Sequence, residues 1–293
     1  MRSLLTDWQL DPPAIAAAGG LVVLYLRGAA RRVERGFPRP RRTASFLAGV
    51  GVVLFSQLGP AAVWSEVLFW PHMVQHLLLT LVAAPLLAYG VPVTTVRSAL
   101  PDGPRTALVR LARGSRRLRR RLGAPHPLVL ATVSHIAAIW LWHWPLAYDA
   151  AVANPALHLI EHATFLATAV WFWSEVRATR RRGQRTEALA TACFAAMIVQ
   201  GAVLGALITF AGRSLYAVYD GGAGLTALED QQLAGALMWV PPGFVHGTFA
   251  IRRFIAWLRS AEHDLAMRER AGASRPPVPA IVDAAPPTGR TST

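Results

Sequence analysis

The chain contains no lysine and only one cysteine. Its positive charge therefore comes from arginine alone, and its cysteine content limits the kinds of covalent and metal site that it can form. All 30 basic residues are arginines, against 16 acidic residues in a chain of 293. The single cysteine, Cys193, excludes a disulfide within the chain and a metal site built from several thiolates. Because Cys193 lies in an apolar run, we interpret it as a small packing residue.

Charged residues are also scarce, which excludes an ordinary soluble domain. Only 16% of the residues are charged and 53% are hydrophobic, and the mean hydropathy is +0.34. Soluble domains carry about 25% charged residues. The net charge of +14 would fit a nucleic-acid-binding protein, but the arginines cluster in short gaps between apolar runs. Because topology selection in a membrane produces such clusters, we expect no nucleic-acid partner.

Seven apolar runs are long enough to cross a lipid bilayer as helices. A transmembrane helix needs about 20 apolar residues, and open strands cannot cross because their backbone polar groups would be unpaired. The sequence therefore predicts an all-α polytopic membrane protein with about seven transmembrane helices. The predicted spans cover approximately residues 12–27, 44–64, 71–93, 127–147, 156–176, 187–211 and 232–257.

The arginines predict how these spans are oriented. Nearly all of them fall in alternate gaps, at 27–42, 97–121 and 177–185, and in the segment 252–293. With seven spans, all four of these segments lie on one side, and the positive-inside rule makes that side cytoplasmic. The prediction is an N-terminus outside and a C-terminus in the cytoplasm.

The chain is expected to divide into a membrane domain and a cytoplasmic tail. Residues 1–258 form the predicted seven-helix transmembrane domain, and 259–293 form the tail. Residues 252–270 mix arginine and acidic residues with apolar ones and are expected to continue the last helix. From residue 271 the tail is rich in proline and low in complexity, a composition typical of disorder.

Five of the nine histidines are predicted to lie at one level of the membrane, near the outer ends of three spans. The pairs in PHMVQH and HLIEH are each spaced i, i+4, which places both imidazoles on one helix face. Two facing pairs would offer four nitrogen ligands to copper, zinc or iron. The alternative is a set of interfacial polar caps and packing residues. The candidate metal ligands are His72, His76, His143, His158 and His162.

Two further histidines are predicted to lie deeper in the membrane. His135 precedes the outer end of its span, and His246 follows 241–243, a Pro-Pro-Gly sequence that predicts a break in the last helix. Irregular backbone is tolerated in a membrane only where protein or a cavity covers it. His246 is therefore either part of a second polar site or a partner for a kinked backbone. Met73 and Met238 lie toward the outer side, where thioethers favour Cu(I), although each alone is typical of apolar filling.

The segment HLIEH also matches the H-x-x-E-H pattern of inverted zinc proteases, with Glu161 as the base. A match of five residues arises easily by chance, and a protease would need a third ligand and room for substrate and water. We interpret Glu161 instead as a residue that orients a histidine or tunes the charge of the site. No enzymatic activity is expected.

Several of these segments resemble the CtaG family of cytochrome c oxidase assembly factors, of the type associated with the caa3 oxidase. The resemblance is carried by PHMVQHLLLTLVAAPLLAYGVP, LWHWP, HLIEHATFLATAVWFW and LEDQQLAGALMWVPPG, and it extends over about residues 15–258. A second, unrelated family of copper chaperones shares the name but has one membrane helix and a cysteine-containing copper site. This chain does not resemble that second family.

The resemblance implies a multi-pass protein of the bacterial plasma membrane that is needed to make active haem–copper oxidase, through the supply of copper. The implied partners are cytochrome c oxidase subunits or other copper-handling proteins. The resemblance places copper at the five candidate histidines, and its last motif includes Asp230, Gln231 and Gln232, whose chemical role is left open. Two alternatives also stay open: a haem-binding redox protein with axial histidines, and a metal-free assembly scaffold.

Overall fold

The computed structural model of the chain describes residues 7–121, 123–179 and 184–273, and this part of the chain is almost entirely helical. A π-helical stretch, Leu78–Ala83, joins two of the helices, and a small antiparallel pair, β1 (Gly221–Gly222) and β2 (Leu225–Thr226), precedes the last one. The predicted all-α class is confirmed. The helices are α1 (Pro12–Glu34), α2 (Pro40–Leu58), α3 (Pro60–Trp64), α4 (Phe69–Leu77), α5 (Ala84–Gly90), α6 (Pro92–Ala99), α7 (Asp102–Arg121), α8 (Pro127–Trp142), α9 (Pro145–Ala153), α10 (Pro155–Thr179), α11 (Gln184–Thr209) and α12 (Ala227–Ala273).

Proline marks the beginnings of these helices. Seven of them, α1, α2, α3, α6, α8, α9 and α10, have proline as their first residue. At this position the missing N–H costs nothing, because the first N–H groups of a helix have no intrahelical partner, and the fixed φ already suits the helix. The 21 prolines of the chain are therefore compatible with an all-helical fold.

Helices cover all but a few residues of each of the seven predicted spans, although several spans consist of more than one helix. By length and apolar character four stretches could cross a membrane, namely Pro12–Glu34, Pro40–Trp64, Phe69–Gly90 and Arg185–Thr209. Helices α8 and α9 make a fifth if the pair, bent by 76°, is one span. The predicted spans 156–176 and 232–257 lie on α10 and α12, which carry more polar residues. The number of spans and their orientation therefore stay predictions.

The fourth predicted span, 127–147, differs from the structure at its end. Helix α8 stops at Trp142, and α9 begins at Pro145 at a steep angle to it. Pro145 favours this break, because it lacks the N–H that would extend α8 while its fixed φ suits the first turn of α9. The predicted gap 97–121 also contains a helix, α7, which is rich in arginine.

The last helix contradicts the predicted break at the Pro-Pro-Gly sequence. Helix α12 continues without interruption through Pro241 and Pro242 to Ala273. It packs closely along α11, and a Cβ added to Gly235 would lie only 2.7 Å from the backbone nitrogen of Thr209. Such close packing supports a helix whose own hydrogen bonds are interrupted by proline. Of the proline-rich stretch predicted to begin at residue 271, residues 271–273 still belong to α12, and 274–293 lie outside the described residues.

The helices enclose two apolar clusters that position the candidate site. One lies among α5, α8, α10 and α11 and is centred on Phe172 and Phe194. The other contains Phe69, Tyr148 and Tyr219 and joins α4 and α9 to the loop 210–226. The candidate histidines lie beside this second cluster, at one end of the bundle.

Candidate metal centre

The five candidate histidines lie together in the structure. Helix α4 contributes His72 and His76, α10 contributes His158 and His162, and His143 is the residue that ends α8. Ring centroids lie 5.0 Å apart for His72 and His158, 5.0 Å for His76 and His162, and 6.0 Å for His76 and His143. His158 is half-buried, and the other four are buried. We call these five residues the histidine cluster.

Glu161 lies within reach of this cluster and is fully buried. One of its carboxylate oxygens is 3.7 Å from Nε2 of His72, and the other is 3.5 Å from Nε2 of His76. Potential ligand atoms of His72, His158, Glu161 and His162 all lie within 4.8 Å of one another. Sequence reasoning placed Glu161 beside a histidine but did not include it among the ligands. Its spacing in the sequence could have indicated this position, because residues 158, 161 and 162 share one helix face.

The atoms that face each other in this cluster have no hydrogen-bond partners among the described residues. These atoms are the Nε2 nitrogens of all five histidines and both carboxylate oxygens of Glu161. Buried polar groups are almost always paired, and each unpaired one costs about 1–3 kcal/mol. A cation bound among these atoms would satisfy several of them at once. The donor set, imidazole nitrogen with one carboxylate, therefore fits a copper, zinc or iron ion.

Tyrosine hydroxyls hold the opposite nitrogen of His72. Its Nδ1 lies 2.8 Å from the hydroxyl of Tyr148 and 3.1 Å from that of Tyr219. The Tyr219 hydroxyl donates to the carbonyl of Ser65 at 3.0 Å, and burial raises the pKa of Tyr219 above its ordinary value, so the hydroxyl keeps its proton. With its own proton on Nδ1, His72 would donate to Tyr148 and present the Nε2 lone pair to the cluster.

Two other histidines are oriented in the same way. Nδ1 of His143 lies 2.7 Å from the carbonyl oxygen of Ile139. Because a carbonyl only accepts, the proton of neutral His143 is on Nδ1, and Nε2 has a free lone pair. Nδ1 of His162 lies 3.1 Å from Oε1 of Gln57, the amide atom that can accept the Nδ1 proton. These hydrogen bonds at Nδ1 leave the Nε2 atoms of His72, His143 and His162 directed toward the centre of the cluster.

The structure assigns a role to the acidic motif whose chemistry the sequence left open. The Asp230 carboxylate accepts hydrogen bonds from the backbone N–H groups of Phe69 at 2.7 Å and Trp70 at 2.9 Å. It therefore caps the N-terminus of α4 immediately before His72, where a negative charge also interacts favourably with the helix dipole. Gln231 donates to the carbonyl of Ile208 at 3.1 Å and ties the end of α11 to the last helix. Gln232 is exposed, and nothing in the structure explains it.

A cavity of about 240 Å³ leads to the histidine cluster. Its walls include His72 and His158, and also the acidic residues Asp11 and Glu66. Carboxylates in a cleft raise the local concentration of cations. The cavity therefore gives a cation a route to the half-buried His158.

His135 and His246 do not join the cluster. Nδ1 of His135 lies 2.8 Å from the hydroxyl oxygen of Thr168. His246 packs among the rings of Phe172, Trp173 and Phe194, with centroid distances between 6.0 and 6.4 Å. Their deeper position in the membrane stays a prediction.

Comparison with known proteins identifies one family. The model of the family described as cytochrome c oxidase caa3 assembly factor matches residues 23–260. The match covers most of the chain and includes the histidine cluster, Glu161 and Asp230. No curated protein and no solved structure matches the chain.

Proposed function

The chain belongs to the family of cytochrome c oxidase caa3 assembly factors, and on this premise we propose that it binds copper in the histidine cluster and delivers it to the oxidase. The observation that supports this proposal is the group of buried Nε2 atoms and carboxylate oxygens without hydrogen-bond partners. Copper is then the cargo of the protein. The family match supports a role in the assembly of cytochrome c oxidase. The histidine cluster provides the side chains that would bind the metal.

The donor set suits copper in particular. Imidazole nitrogens bind copper, and divalent copper forms the most stable complexes of the first-row divalent ions. Cytochrome c oxidase is itself a copper enzyme, so a copper site in its assembly factor has an evident recipient. A cargo ion must also leave, and the half-buried His158 beside the 240 Å³ cavity provides an exit.

The proposed location is the bacterial plasma membrane, with the histidine cluster on the extracytoplasmic side. The arginine-rich segments that predict the cytoplasmic side lie in gaps that alternate with the histidine-bearing ends along the chain. Oxidase subunits or other copper-handling proteins would be the partners. We assign no catalytic step to the chain, because Glu161 is fully buried between histidines and lacks the access that a protease base needs.

The haem-binding alternative is less well supported by the geometry of the cluster. A haem would need a flat slot between two axial histidines. Here the rings of His158 and His162 have centroids 4.2 Å apart, and Phe165 packs against His76 at 4.6 Å. The described residues thus leave no such slot in the cluster. The other alternative is a metal-free scaffold, which the copper analysis described next distinguishes from a copper-binding protein.

Copper analysis of the purified full-length protein tests the proposal. The protein is loaded with copper, desalted and analysed for metal, beside a variant with His72, His76, His158 and His162 all changed to alanine. We expect copper in the parent protein and its loss in the variant. A milder variant, His158→Gln with His162→Gln, keeps polar side chains and guards against a loss caused by misfolding. His263→Ala, at an exposed position on α12, is the control and should retain copper.

The same variants test delivery in cells. In a bacterial host without its own factor, the parent chain and His263→Ala should restore caa3-type oxidase activity and the copper content of the oxidase. The histidine variants should restore neither. Full oxidase activity with the fourfold variant would contradict the copper proposal and favour the scaffold.

A further inference from the structure

A second cavity, of about 70 Å³, lies on the other side of the histidine cluster. His76 and His143 line it where it meets the cluster, and His135 and His246 line it as well. Since His135 precedes His143 by eight residues on α8, these positions are separated by about 12 Å along the helix axis. The cavity thus connects the cluster with the interior of the bundle.

Methionine is concentrated around this cavity. The chain has five methionines, including Met1. Three of them, Met73 on α4, Met197 on α11 and Met238 on α12, line the cavity together. Met73 and Met197 are buried almost completely. Methionine is a versatile apolar filler, but leucine is far more abundant in this chain, so three methionines at one cavity call for a chemical explanation.

The cavity also contains polar atoms without partners. Nδ1 of His246 and the side-chain oxygen of Gln200 are buried and have no hydrogen-bond partner among the described residues. Pro242 lines the same cavity, and because it lacks an N–H, the carbonyl of Met238 loses its usual helical donor. These atoms are available to a ligand.

The charge of the lining restricts the ligand. Among the described residues that line the cavity there is no aspartate or glutamate, whereas the histidine cluster contains Glu161. Burial of an uncompensated charge is costly, and a divalent ion would leave two positive charges in an apolar space. A monovalent ion with neutral ligands would leave only one positive charge there. Thioether sulfur is a soft ligand that selects Cu(I) among the biological metals.

We propose that this Met–His cavity is a second metal site, specific for Cu(I), with the thioethers of Met73, Met197 and Met238 and the imidazole of His246 as its ligands. The proposal goes beyond the histidine cluster and rests on a separate set of side chains. Binding involves no change of oxidation state. With His76 and His143 at the boundary, a Cu(I) ion could move between the two sites without entering water.

Anaerobic titration of the purified full-length protein with Cu(I), in competition with a chromogenic Cu(I) chelator, tests this proposal. The first variant changes Met73, Met197 and Met238 to leucine, an exchange that nearly conserves volume and is well tolerated in cores. The second is His158→Gln with His162→Gln. Met267→Leu, at an exposed position near the end of α12, is the matched control.

We expect two Cu(I) ions per chain in the parent protein and in the control. The methionine variant should lose one, and the histidine variant should lose the other. In the histidine variant loaded with Cu(I), X-ray absorption should show sulfur neighbours around copper. Helical circular dichroism and thermal unfolding verify that each variant is folded, and the three single Met→Leu variants replace the triple if it is not.

The outcomes separate the two sites. If the methionine variants bind as much Cu(I) as the parent, or if copper in the histidine variant has only nitrogen and oxygen neighbours, the methionines are apolar filler and this inference is wrong. If the parent binds a single Cu(I) that depends on the methionines and not on His158 and His162, the Met–His cavity stands and the function proposed for the histidine cluster fails.

Discussion

At the scale of single residues, Glu161 decides the charge of the histidine cluster. Neutral imidazoles would leave the full charge of a bound ion uncompensated in a buried place, and one carboxylate reduces it by one. Without a cation, an ionised Glu161 would itself be a buried charge, which is costly in an apolar interior. Its two oxygens lie near His72 and His76 on α4, although Glu161 belongs to α10. The Glu161 side chain thus connects the histidine pair on α4 with the pair on α10.

Glu161→Gln should weaken copper binding without unfolding the protein. The amide has nearly the same shape as the carboxyl group but carries no charge, so we expect an affinity about 10–100-fold lower, the range found for altered partners of metal ligands. Competition with a copper chelator measures this change. Glu175→Gln, on the same helix and about 21 Å away, should bind like the parent. Equal affinity of Glu161→Gln and the parent would remove the carboxylate from the site.

At the scale of helices, irregularities occur close to the histidines. The π-helical stretch Leu78–Ala83 begins two residues after His76. It exposes a backbone carbonyl, that of Thr80, which accepts a hydrogen bond of 3.1 Å from the indole of Trp173. Such π-helical turns are frequent at functional sites. This one lies beside the Met–His cavity, which Thr80 and Leu81 help to line.

The contact between α11 and α12 depends on small residues. Gly205 faces Trp239, and a Cβ on it would lie 2.6 Å from a ring carbon. Gly235 faces Thr209 in the same way. Small residues let membrane helices approach closely and gain van der Waals contact. Because prolines remove two internal hydrogen bonds from α12, this contact helps to hold the two helices together.

Gly235→Ala should destabilise the protein, whereas Gly243→Ala on the same helix should not. The added methyl group of the first would collide with Thr209, at a cost of about 1–3 kcal/mol. A Cβ at Gly243 has no neighbour within 4 Å, and alanine is favoured over glycine inside helices by about 1 kcal/mol. Thermal unfolding in detergent should therefore shift downward only for Gly235→Ala. The opposite order would show that the helices separate freely at this point.

At the scale of the whole molecule, the two ends of the bundle differ in chemistry. One end holds the histidine cluster with its acidic cavity. Toward the beginning of α11, a buried ion pair joins Arg253 on α12 to Glu187 at 2.9 Å. Arg253 also donates to the carbonyl of Val176 on α10 at 2.7 Å. These contacts secure three helices at the end that the arginines predict to be cytoplasmic.

Labelling of single cysteines tests this orientation. Cys193 is buried, and Cys193→Ser provides a background into which exposed cysteines are introduced one at a time. A membrane-impermeant maleimide applied to intact cells should label Asp220→Cys, in the loop before α12. It should label Arg113→Cys, on α7, only after the cells are opened. The reverse pattern would place the histidine cluster on the cytoplasmic side and would contradict delivery of copper from outside.

The sequence by itself determined the all-α class, helical structure over nearly all of each predicted span, and the two histidine pairs that each share a helix face. These features depend on local hydropathy and on the helical repeat, which the order of residues specifies directly. Only the tertiary structure decided which side chains meet. Tyr219 reaches His72 across 147 positions of the chain, and Asp230 reaches Trp70 across 160. Such contacts depend on the rotation and packing of whole helices, as does the uninterrupted course of α12 through two prolines, and hydropathy specifies neither.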